Sequence, residues 1–433
     1  MKREELLQYC WKHKIFPLTP LITADGETVE VIDSGQHNRN AGPDFFNAKV
    51  RIGATIWVGN VEIHIHASQW MQHKHHEDEH YNNVILHVVS EGEERAMTQD
   101  GKLLPQLRLD IPQKVKDNYH QLLTSDRYPP CHAVIPSLSS LKIRSWLTTL
   151  QTERLEQKTK LLLQYVADST GSWEQAFFMA LARNYGFGVN GEAFEIWARH
   201  IPLHLADHHR DDLFQVEALF MGQAGLLEEE TLSKRYHAKA KEEGYFDQLR
   251  KEYLFLKHKF SLQPMDARHW QFLRLRPQNF PYIRLSQLAK LYVSRRASLS
   301  RILECQDIEA LQKALKTEVS DYWQTHYIFG EESKHSSKRL SPSSIRLLII
   351  NTVIPTLFIY GRHQQKEELC DRAFALLEQL PPENNHIIRM WQECSLKVEN
   401  AGDTQALIQL KNEYCNPKEC LRCRIGFEWM KGE

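Results

Sequence analysis

The stretch Thr55–His66, TIWVGNVEIHIH, decides how the N-terminal third of this chain folds. Its second half alternates apolar and polar residues, and a period of two predicts a strand because successive side chains point to opposite faces. One face is predicted to meet a core and carries Val61, Ile63 and Ile65. The other face presents a carboxylate and two imidazoles in a row: Glu62, His64 and His66.

The residues around this strand indicate a sheet. Gly53-Ala54 predicts a tight turn back to a preceding strand, and a continuous apolar run further along indicates a strand buried on both faces. The predicted strands are Thr28–Ile32, Ala48–Ile52, Thr55–His66, Val84–Val89 and Leu103–Leu109.

Beyond this region the period of apolar residues changes from two to that of helices. Tyr128-Pro129-Pro130-Cys131 punctuates the chain, and Leu138–Ala167 has apolar residues three and four apart. We therefore predict an α+β protein: a mixed β-sheet domain over 1–130, an all-α helical domain over 137–410, and a cysteine knuckle over 411–433.

Composition and charge describe an ordinary globular chain. Of the 433 residues 42% are hydrophobic and 25% charged, and the net charge of -1 indicates no global preference for an anionic or cationic partner. The N-terminus lacks the apolar core of a secretory signal, and Leu347–Tyr360 is too short to cross a bilayer and contains Asn351 and Pro355. Reduced thiols, a cytoplasmic location and no membrane association are expected, and the oligomeric state stays open.

Two acidic residues are predicted to converge on the sheet. Asp44 follows Gly42-Pro43, and 17 residues separate it from Glu62. If the two strands pair through the Gly53-Ala54 turn, both carboxylates reach the same end of the sheet. Converging carboxylates suit Mg²⁺ or Mn²⁺, and such an ion can polarise a phosphoryl oxygen and activate water.

Pro43-Asp44 followed by Glu62-Ile63-His64 resembles the motif of the PD-(D/E)xK nuclease superfamily over roughly residues 1 to 110. The resemblance implies a restriction-endonuclease-like sheet, metal ligation by Asp44, Glu62 and the Ile63 carbonyl, and a catalytic His64 that handles the attacking water. It also implies a further acid on the first helix, which is Glu4 or Glu5 here. His64 stands where lysine is usual, so it supplies no fixed positive charge, although a neutral imidazole can act as a base near pH 7.

Histidines are concentrated just after this motif. The region His64–His87 holds seven of the chain's 22 histidines, most of them in the polar segment QHKHHEDEHYNN. A solvated helix or loop is the simpler interpretation of that segment. The alternative is a zinc site seeded by His64-x-His66, since neutral imidazoles suit Zn²⁺.

A basic stretch in the helical domain suggests nucleic acid as a partner. The segment from Lys257 to Arg301 contains ten basic residues and a single acid, Asp266, and aromatic residues lie between them in the sequence. Arginines can neutralise phosphates and aromatic rings can stack on unpaired bases. The candidate nucleic-acid-binding residues are Arg268, Arg274, Arg276, Arg284, Arg295 and Arg296. The alternative is that the rings are core and the arginines pair with acids elsewhere.

The C-terminal knuckle has the spacing of a metal site. Cys415, Cys420 and Cys423 form Cys-x4-Cys-x2-Cys, and Cys131, or failing that Cys10, can supply a fourth thiolate. One upstream cysteine with a C-terminal trio resembles the iron–sulfur staple of some PD-(D/E)xK nucleases in helicase–nuclease and CRISPR-associated complexes. An iron–sulfur cluster or Zn²⁺ is therefore expected there.

Several segments together resemble an uncharacterised bacterial family known only as a domain of unknown function: AGPDFFNAKV, GNVEIH, YNNVILHVV, EALFMGQAGLL, RPQNFP and YCNPKECLRC. That resemblance implies no activity. The residues favour a metal-dependent nucleic-acid phosphodiesterase, a nuclease, or a catalytically impaired relative. The alternatives are a non-catalytic nucleic-acid-binding or assembly protein, and a zinc-dependent hydrolase that uses the histidine-rich segment.

Overall fold

A computed structural model of the protein describes residues 3–17, 19–38 and 40–432. These residues form two compact units. The first contains the described residues up to Ser139, Cys394–Leu396 and the described residues from Lys411 onward. The second contains Ser140–Glu393 and Lys397–Leu410. The predicted α+β class is confirmed, with a sheet near the N-terminus and a mostly helical remainder.

The first unit is built on one sheet of seven strands. The strands are β1 (Leu21–Ile22), β2 (Thr28–Asp33), β3 (Gln36–His37), β4 (Phe45–Ile52), β5 (Thr55–His66), β6 (Val84–Glu91) and β7 (Gln106–Arg108). Their order is β1-β2-β4-β5-β6-β7, and β3 pairs with β4. An antiparallel bridge between Thr23 and Leu107 links the two ends of this order, so the sheet is nearly closed like a barrel.

The pairing of the strands changes from antiparallel to parallel at β5. The β4–β5 pair is antiparallel and turns at Gly53, where φ is +57°. The β5–β6 and β6–β7 pairs are parallel, and a parallel pair needs a crossover connection. The histidine-rich segment is the crossover between β5 and β6.

Twenty helices complete the described chain. In chain order they are α1 (Arg3–Lys12), α2 (Gln69–Gln72), α3 (Gln113–Thr124), α4 (Ser140–Asp168), α5 (Trp173–Tyr185), α6 (Gly191–Arg199), α7 (Leu203–Asp207), α8 (Leu213–Gln223), α9 (His237–Glu243), α10 (Tyr245–Phe260), α11 (Pro281–Val293), α12 (Leu299–Glu304), α13 (Ile308–Leu315), α14 (Asp321–Gln324), α15 (Pro342–Leu348), α16 (Ile354–His363), α17 (Glu367–Gln379), α18 (His386–Glu393), α19 (Ala401–Gln409) and α20 (Arg424–Lys431).

Several of these helices begin at side chains that cap the backbone. Ser172 accepts a hydrogen bond from Gln175 N–H at the start of α5, and Asp212 accepts from Phe214 and Gln215 at the start of α8. Such caps satisfy N–H groups that have no partner within the helix. α4–α19 belong to the second unit, whose core is one large apolar cluster.

The most apolar helical segment lies in that core. α15 and α16 are joined through a π-helical turn, Ile349–Val353, into one helix over Pro342–His363. By length and hydropathy alone this helix could cross a membrane, and 72% of its most apolar window is buried within the protein.

Candidate functional site

Asp44 and Glu62 lie next to each other in the first unit, joined through the backbone. Asp44 N–H donates to Glu62 Oε2 at 3.0 Å, and Ile63 N–H donates to Asp44 Oδ2 at 3.0 Å. Gln8 of α1 donates from Nε2 to Asp44 Oδ1 at 2.9 Å. These reciprocal bonds hold the start of β4 against the middle of β5 and fix the orientation of both carboxylates.

The electrostatics of the pair favour a cation between the two groups. Burial raises the pKa of Asp44, and the Glu62 charge and Glu4 on α1 raise it further. Burial likewise raises the pKa of Glu62, and Glu4 adds to this. Among the residues that the structure describes, no lysine or arginine forms an ion pair with either carboxylate. Two buried carboxylates without a lysine or arginine partner favour either a bound proton or a bound metal ion.

Glu4 is the acid on the first helix that lies near this pair. It accepts a hydrogen bond from Gln69 Nε2 at 3.4 Å, and Gln69 Oε1 accepts from the His66 N–H at 2.7 Å. The neighbouring Glu5 is exposed. The structure therefore brings together Glu4 of α1, Asp44 directly before β4, and Glu62 of β5.

The face of β5 that carries Glu62 and His64 is buried. Glu62 is 5% exposed and His64 1% exposed, because α2 and the turns after it lie over this end of the sheet. Trp70 of α2 has its ring 5.3 Å from the rings of both His75 and His87. Only a long-range contact of this kind could have shown that the face is covered.

Histidines surround the Glu62 carboxylate. Glu62 Oε1 lies 3.4 Å from His64 Nε2 and 3.3 Å from His75 Nε2. His64, His73 and His75 each offer a ligand nitrogen, and these three atoms lie within 4.8 Å of one another. The sequence singled out His64, but the simpler interpretation of His75 as a solvated residue is wrong, because His75 is buried and stacked on Tyr81 at 3.9 Å.

The two distances from Glu62 Oε1 to the nitrogens of His64 and His75 match those between ligands of one metal ion. Ligands bound at 2.0–2.1 Å in a tetrahedron lie about 3.3–3.4 Å apart. The buried Nε2 of His75 has no hydrogen-bond partner, so it fits the role of a metal ligand. His64 Nδ1 lies 2.9 Å from His87 Nε2, and a ligand histidine typically engages its second nitrogen in this way.

His64 is neutral at physiological pH. Burial lowers its pKa to about 2, with smaller contributions from His87, His75 and His73. Burial also lowers the pKa of His87 to about 4 and lowers that of His75. A buried neutral imidazole can ligate a metal or accept a proton, but it is not a proton donor near pH 7.

The remaining histidines of this region lie elsewhere. His66 is exposed at the end of β5 and lies 3.4 Å from Glu91, so it does not join His64 as the seed of a zinc site. His80 contacts Asp78, and His76 contacts Glu77. The solvated interpretation agrees with the structure for His80, whereas His76 is half-buried and its Nδ1 is buried without a hydrogen-bond partner.

The arginines of the basic stretch do not share one environment. Arg284 is 7% exposed and donates to Gln287 and Asn279, so it presents no guanidinium to a surface. Arg268 and Arg295 are exposed and pair with Asp266 and Asp211. Arg296 donates to the carbonyls of Lys313 and Lys316.

Arg274 and Arg276 are exposed in the segment before α11. The interleaved aromatic rings are core residues or pack against the core: Phe260, Trp270, Phe272, Phe280, Tyr282 and Tyr292. These rings therefore do not form an external platform for bases.

The three predicted knuckle cysteines and Cys131 all lie in the first unit. Cys131 is buried in the loop after α3, and its thiol interacts electrostatically with those of Cys415, Cys420 and Cys423. Cys10 is buried in α1 and is not among the groups that act on Cys131.

Comparison with known proteins identifies a family but no characterised relative. Residues 4–386 match the family described as "Protein of unknown function (DUF2851)", a range that includes the Asp44–Glu62 site and ends before the cysteine tail. No curated protein and no solved structure matches the chain. The chain therefore belongs to the DUF2851 family of proteins of unknown function.

Proposed function

We propose that the protein is a divalent-metal-dependent phosphodiesterase whose ion is bound at Glu62 and Asp44. One observation carries this proposal: a buried carboxylate oxygen of Glu62 lies 3.3–3.4 Å from two imidazole nitrogens, beside a second buried carboxylate, and no described lysine or arginine pairs with it. This donor set of carboxylate oxygens and imidazole nitrogens suits a metal ion.

The mixed donor set refines the expected metal. Mg²⁺ prefers oxygen ligands throughout, whereas imidazole together with carboxylate suits Mn²⁺ and Zn²⁺. A bound divalent ion would supply Lewis acidity and lower the pKa of a bound water. Asp44 and Glu62 would hold the ion, and His64 and His75 would complete its coordination from the side of α2.

The surrounding residues have distinct positioning roles. His87 engages His64 Nδ1 and so orients Nε2 toward Glu62. Gln8 orients Asp44 from α1. His73 is exposed while its ring lies 5.1 Å from that of His64, so it is the histidine best placed to meet a substrate or its water. His64 serves here as a neutral ligand and not as the water-activating base that the motif implies.

Nucleic acid is the proposed substrate because of the resemblance of Pro43-Asp44 and Glu62-Ile63-His64 to a nuclease motif. A parallel strand, β6, follows β5 through a helical crossover, so the two acids lie in a mixed sheet. Glu4 on α1 adds the acid that this resemblance implies.

Cleavage assays with the full chain test this proposal. Single- and double-stranded DNA and RNA are incubated with Mg²⁺, Mn²⁺ or Zn²⁺. We expect the wild-type chain to cleave nucleic acid. Asp44→Asn and Glu62→Gln should each reduce the cleavage rate by at least about 100-fold, which is the typical effect of removing a principal electrostatic contributor to catalysis. Glu91→Gln, an exposed carboxylate at the end of β6, is the matched control and should leave the rate unchanged.

Two results contradict the assignment. Cleavage that survives both substitutions places the activity elsewhere. Salt-sensitive binding with no product under any metal favours the non-catalytic nucleic-acid-binding alternative, since binding through phosphates is electrostatic.

A zinc-dependent hydrolase of other substrates is the second candidate. The three ligand nitrogens of His64, His73 and His75 favour it, because three protein ligands with an open position are typical of catalytic zinc. It predicts zinc that is lost in His75→Ala, together with hydrolysis of carboxylic esters or amides and intact nucleic acid.

A further inference from the structure

Four cysteines from distant parts of the sequence lie in the first unit, and their thiols interact electrostatically. Cys131 acts electrostatically on Cys415, Cys420 and Cys423, Cys415 acts on Cys420 and Cys423, and Cys420 acts on Cys423. All six pairs of the four thiols therefore interact. The eight cysteines of the chain all carry reduced thiols.

The backbone between Cys420 and Cys423 forms a compact knuckle. Cys423 N–H donates to the Cys420 carbonyl at 3.2 Å within a 3₁₀ turn, and α20 starts directly after Cys423. A Cβ on Gly426 would lie 2.1 Å from the Cys420 carbonyl oxygen, so only glycine lets the first turn of α20 lie against the knuckle. Cys-x2-Cys knuckles of this kind present two thiolates to one ion.

Contacts within the first unit link the segment before Cys131 to the segment between Cys415 and Cys420. Tyr128 O–H donates to Asn416 Oδ1 at 3.1 Å, and Lys418 Nζ donates to the Leu123 carbonyl at 2.6 Å. These bonds fasten the loop before Cys131 to the segment between Cys415 and Cys420. The chain segments that carry Cys131 and the C-terminal cysteines are therefore held together within the first unit.

The charges around the cluster suit a thiolate-bound ion. Four thiolates and one divalent ion carry a net charge of about -2. Lys411 lies beside Cys415, and Lys418 beside Cys420, where both stabilise negative charge.

We propose that Cys131, Cys415, Cys420 and Cys423 form a tetrathiolate metal centre that fastens the C-terminal segment to the rest of the first unit. Four protein ligands leave no open coordination position, so the centre is structural and not catalytic. Thiolate ligands select Zn²⁺ or an iron–sulfur cluster. This site lies outside the proposed phosphodiesterase site and does not depend on it.

Elemental analysis of the purified full chain tests the centre. We expect either about one zinc per chain, or iron with acid-labile sulfide and a visible charge-transfer spectrum. Cys131→Ser and Cys420→Ser should each remove this metal. Cys305→Ser, a half-buried cysteine of the second unit, is the matched control and should retain it.

A second measurement covers the case in which the cysteine variants do not fold. The wild-type chain is exchanged with Co²⁺, and thiolate ligation should produce intense thiolate-to-cobalt charge-transfer absorption. Failure of the wild type both to contain metal and to show this absorption overturns the proposal, as does a metal content unchanged in Cys131→Ser. Asp44→Asn should keep the thiolate-bound metal, which separates this outcome from a failure of the proposed activity.

Discussion

Ionisable side chains that are buried or half-buried in this protein have two different kinds of partner. Asp44 and Glu62 accept backbone and amide N–H groups but remain two like charges side by side. Lys158 of α4 instead donates to three neutral oxygens, those of the Ile350 carbonyl, the Asn351 side chain and the Gln405 side chain. A neutral site disfavours the ammonium form, whereas a carboxylate pair attracts a cation.

The pKa of Lys158 makes stability depend on pH. Burial lowers this pKa to about 7, Arg154 lowers it further, and Glu383 opposes the shift. The unfolded chain has the ordinary lysine value of about 10.4, so between about pH 7 and pH 10 the unfolded state binds more protons and stability rises with pH. The slope is at most about 1.4 kcal/mol per pH unit, and less because the residue is only half-buried.

Lys158→Met should flatten that dependence, since its apolar side chain has no proton to lose. Urea unfolding of the full chain at pH 7, 8 and 9 measures the slope. Lys160→Met on the exposed side of α4 is the control and should keep the wild-type slope. Identical slopes for Lys158→Met and the wild type would show that Lys158 keeps its ordinary pKa in the folded protein.

The helix Pro342–His363 shows how one element tolerates a proline. Pro355 has no N–H, so a carbonyl one turn earlier loses its helical partner. Asn184 Nδ2 of α5 donates to the Asn351 carbonyl at 3.2 Å and to Thr352 Oγ1 at 2.9 Å. The π-helical turn Ile349–Val353 is thus stabilised by side chains of neighbouring helices, and such inserted contacts are a recognised cause of irregular helix geometry.

Asn184→Leu should destabilise the helical unit by about 1–3 kcal/mol, because it leaves a carbonyl and a hydroxyl without their donor. The loss of circular dichroism at 222 nm, a standard helix signal, follows the unfolding of this unit in denaturant. Asn384→Ala removes an exposed side chain that only accepts a bond from Arg389, and its effect should stay within about 0.5 kcal/mol. Equal effects of the two substitutions would mean that the turn needs no support from α5.

The chain order and the division into units do not coincide. The unit that contains the sheet also contains the C-terminal segment, which returns to it after the helical unit. Asn118 Nδ2 of α3 donates to the carbonyls of Trp429 and Met430, and Trp429 Nε1 donates to the Asn118 carbonyl at 3.1 Å. α20 is therefore a packed part of the first unit and not a loose end.

Truncation after Cys423 should therefore destabilise the unit that carries the candidate site, although the sheet itself is intact. The loss removes the buried Ile425 and Met430 and should cost about 2–5 kcal/mol, as for large core residues replaced by alanine. Differential scanning calorimetry of the full chain measures the shift. Truncation after Lys431 keeps α20 and is the control. If the unfolding temperature of this unit is the same in the shorter chain as in the full chain, α20 contributes nothing to its stability.

Local patterns predicted the features that depend on only a few neighbouring residues. The alternation over Thr55–His66 predicted β5 with its bounds, and the apolar run beginning at Val84 predicted the buried strand β6. Asp44 and Glu62 were expected to lie close together because the two strands of an antiparallel hairpin run side by side. In the structure the Asp44 N–H donates a hydrogen bond to the Glu62 carboxylate. The mixture of strand and helix periods likewise predicted the α+β class.

Long-range packing determined which of the candidate residues are buried together. His64 and His66 lie on the same face of β5, yet His64 is buried against the rings of His73, His75 and His87 whereas His66 is exposed. The buried His75 comes from a polar segment. Arg284 resembles its neighbouring arginines but is buried among Gln287, Asn279 and Phe187. Burial depends on residues that are distant in the chain, and the periodicity of one segment holds no information about what packs against it.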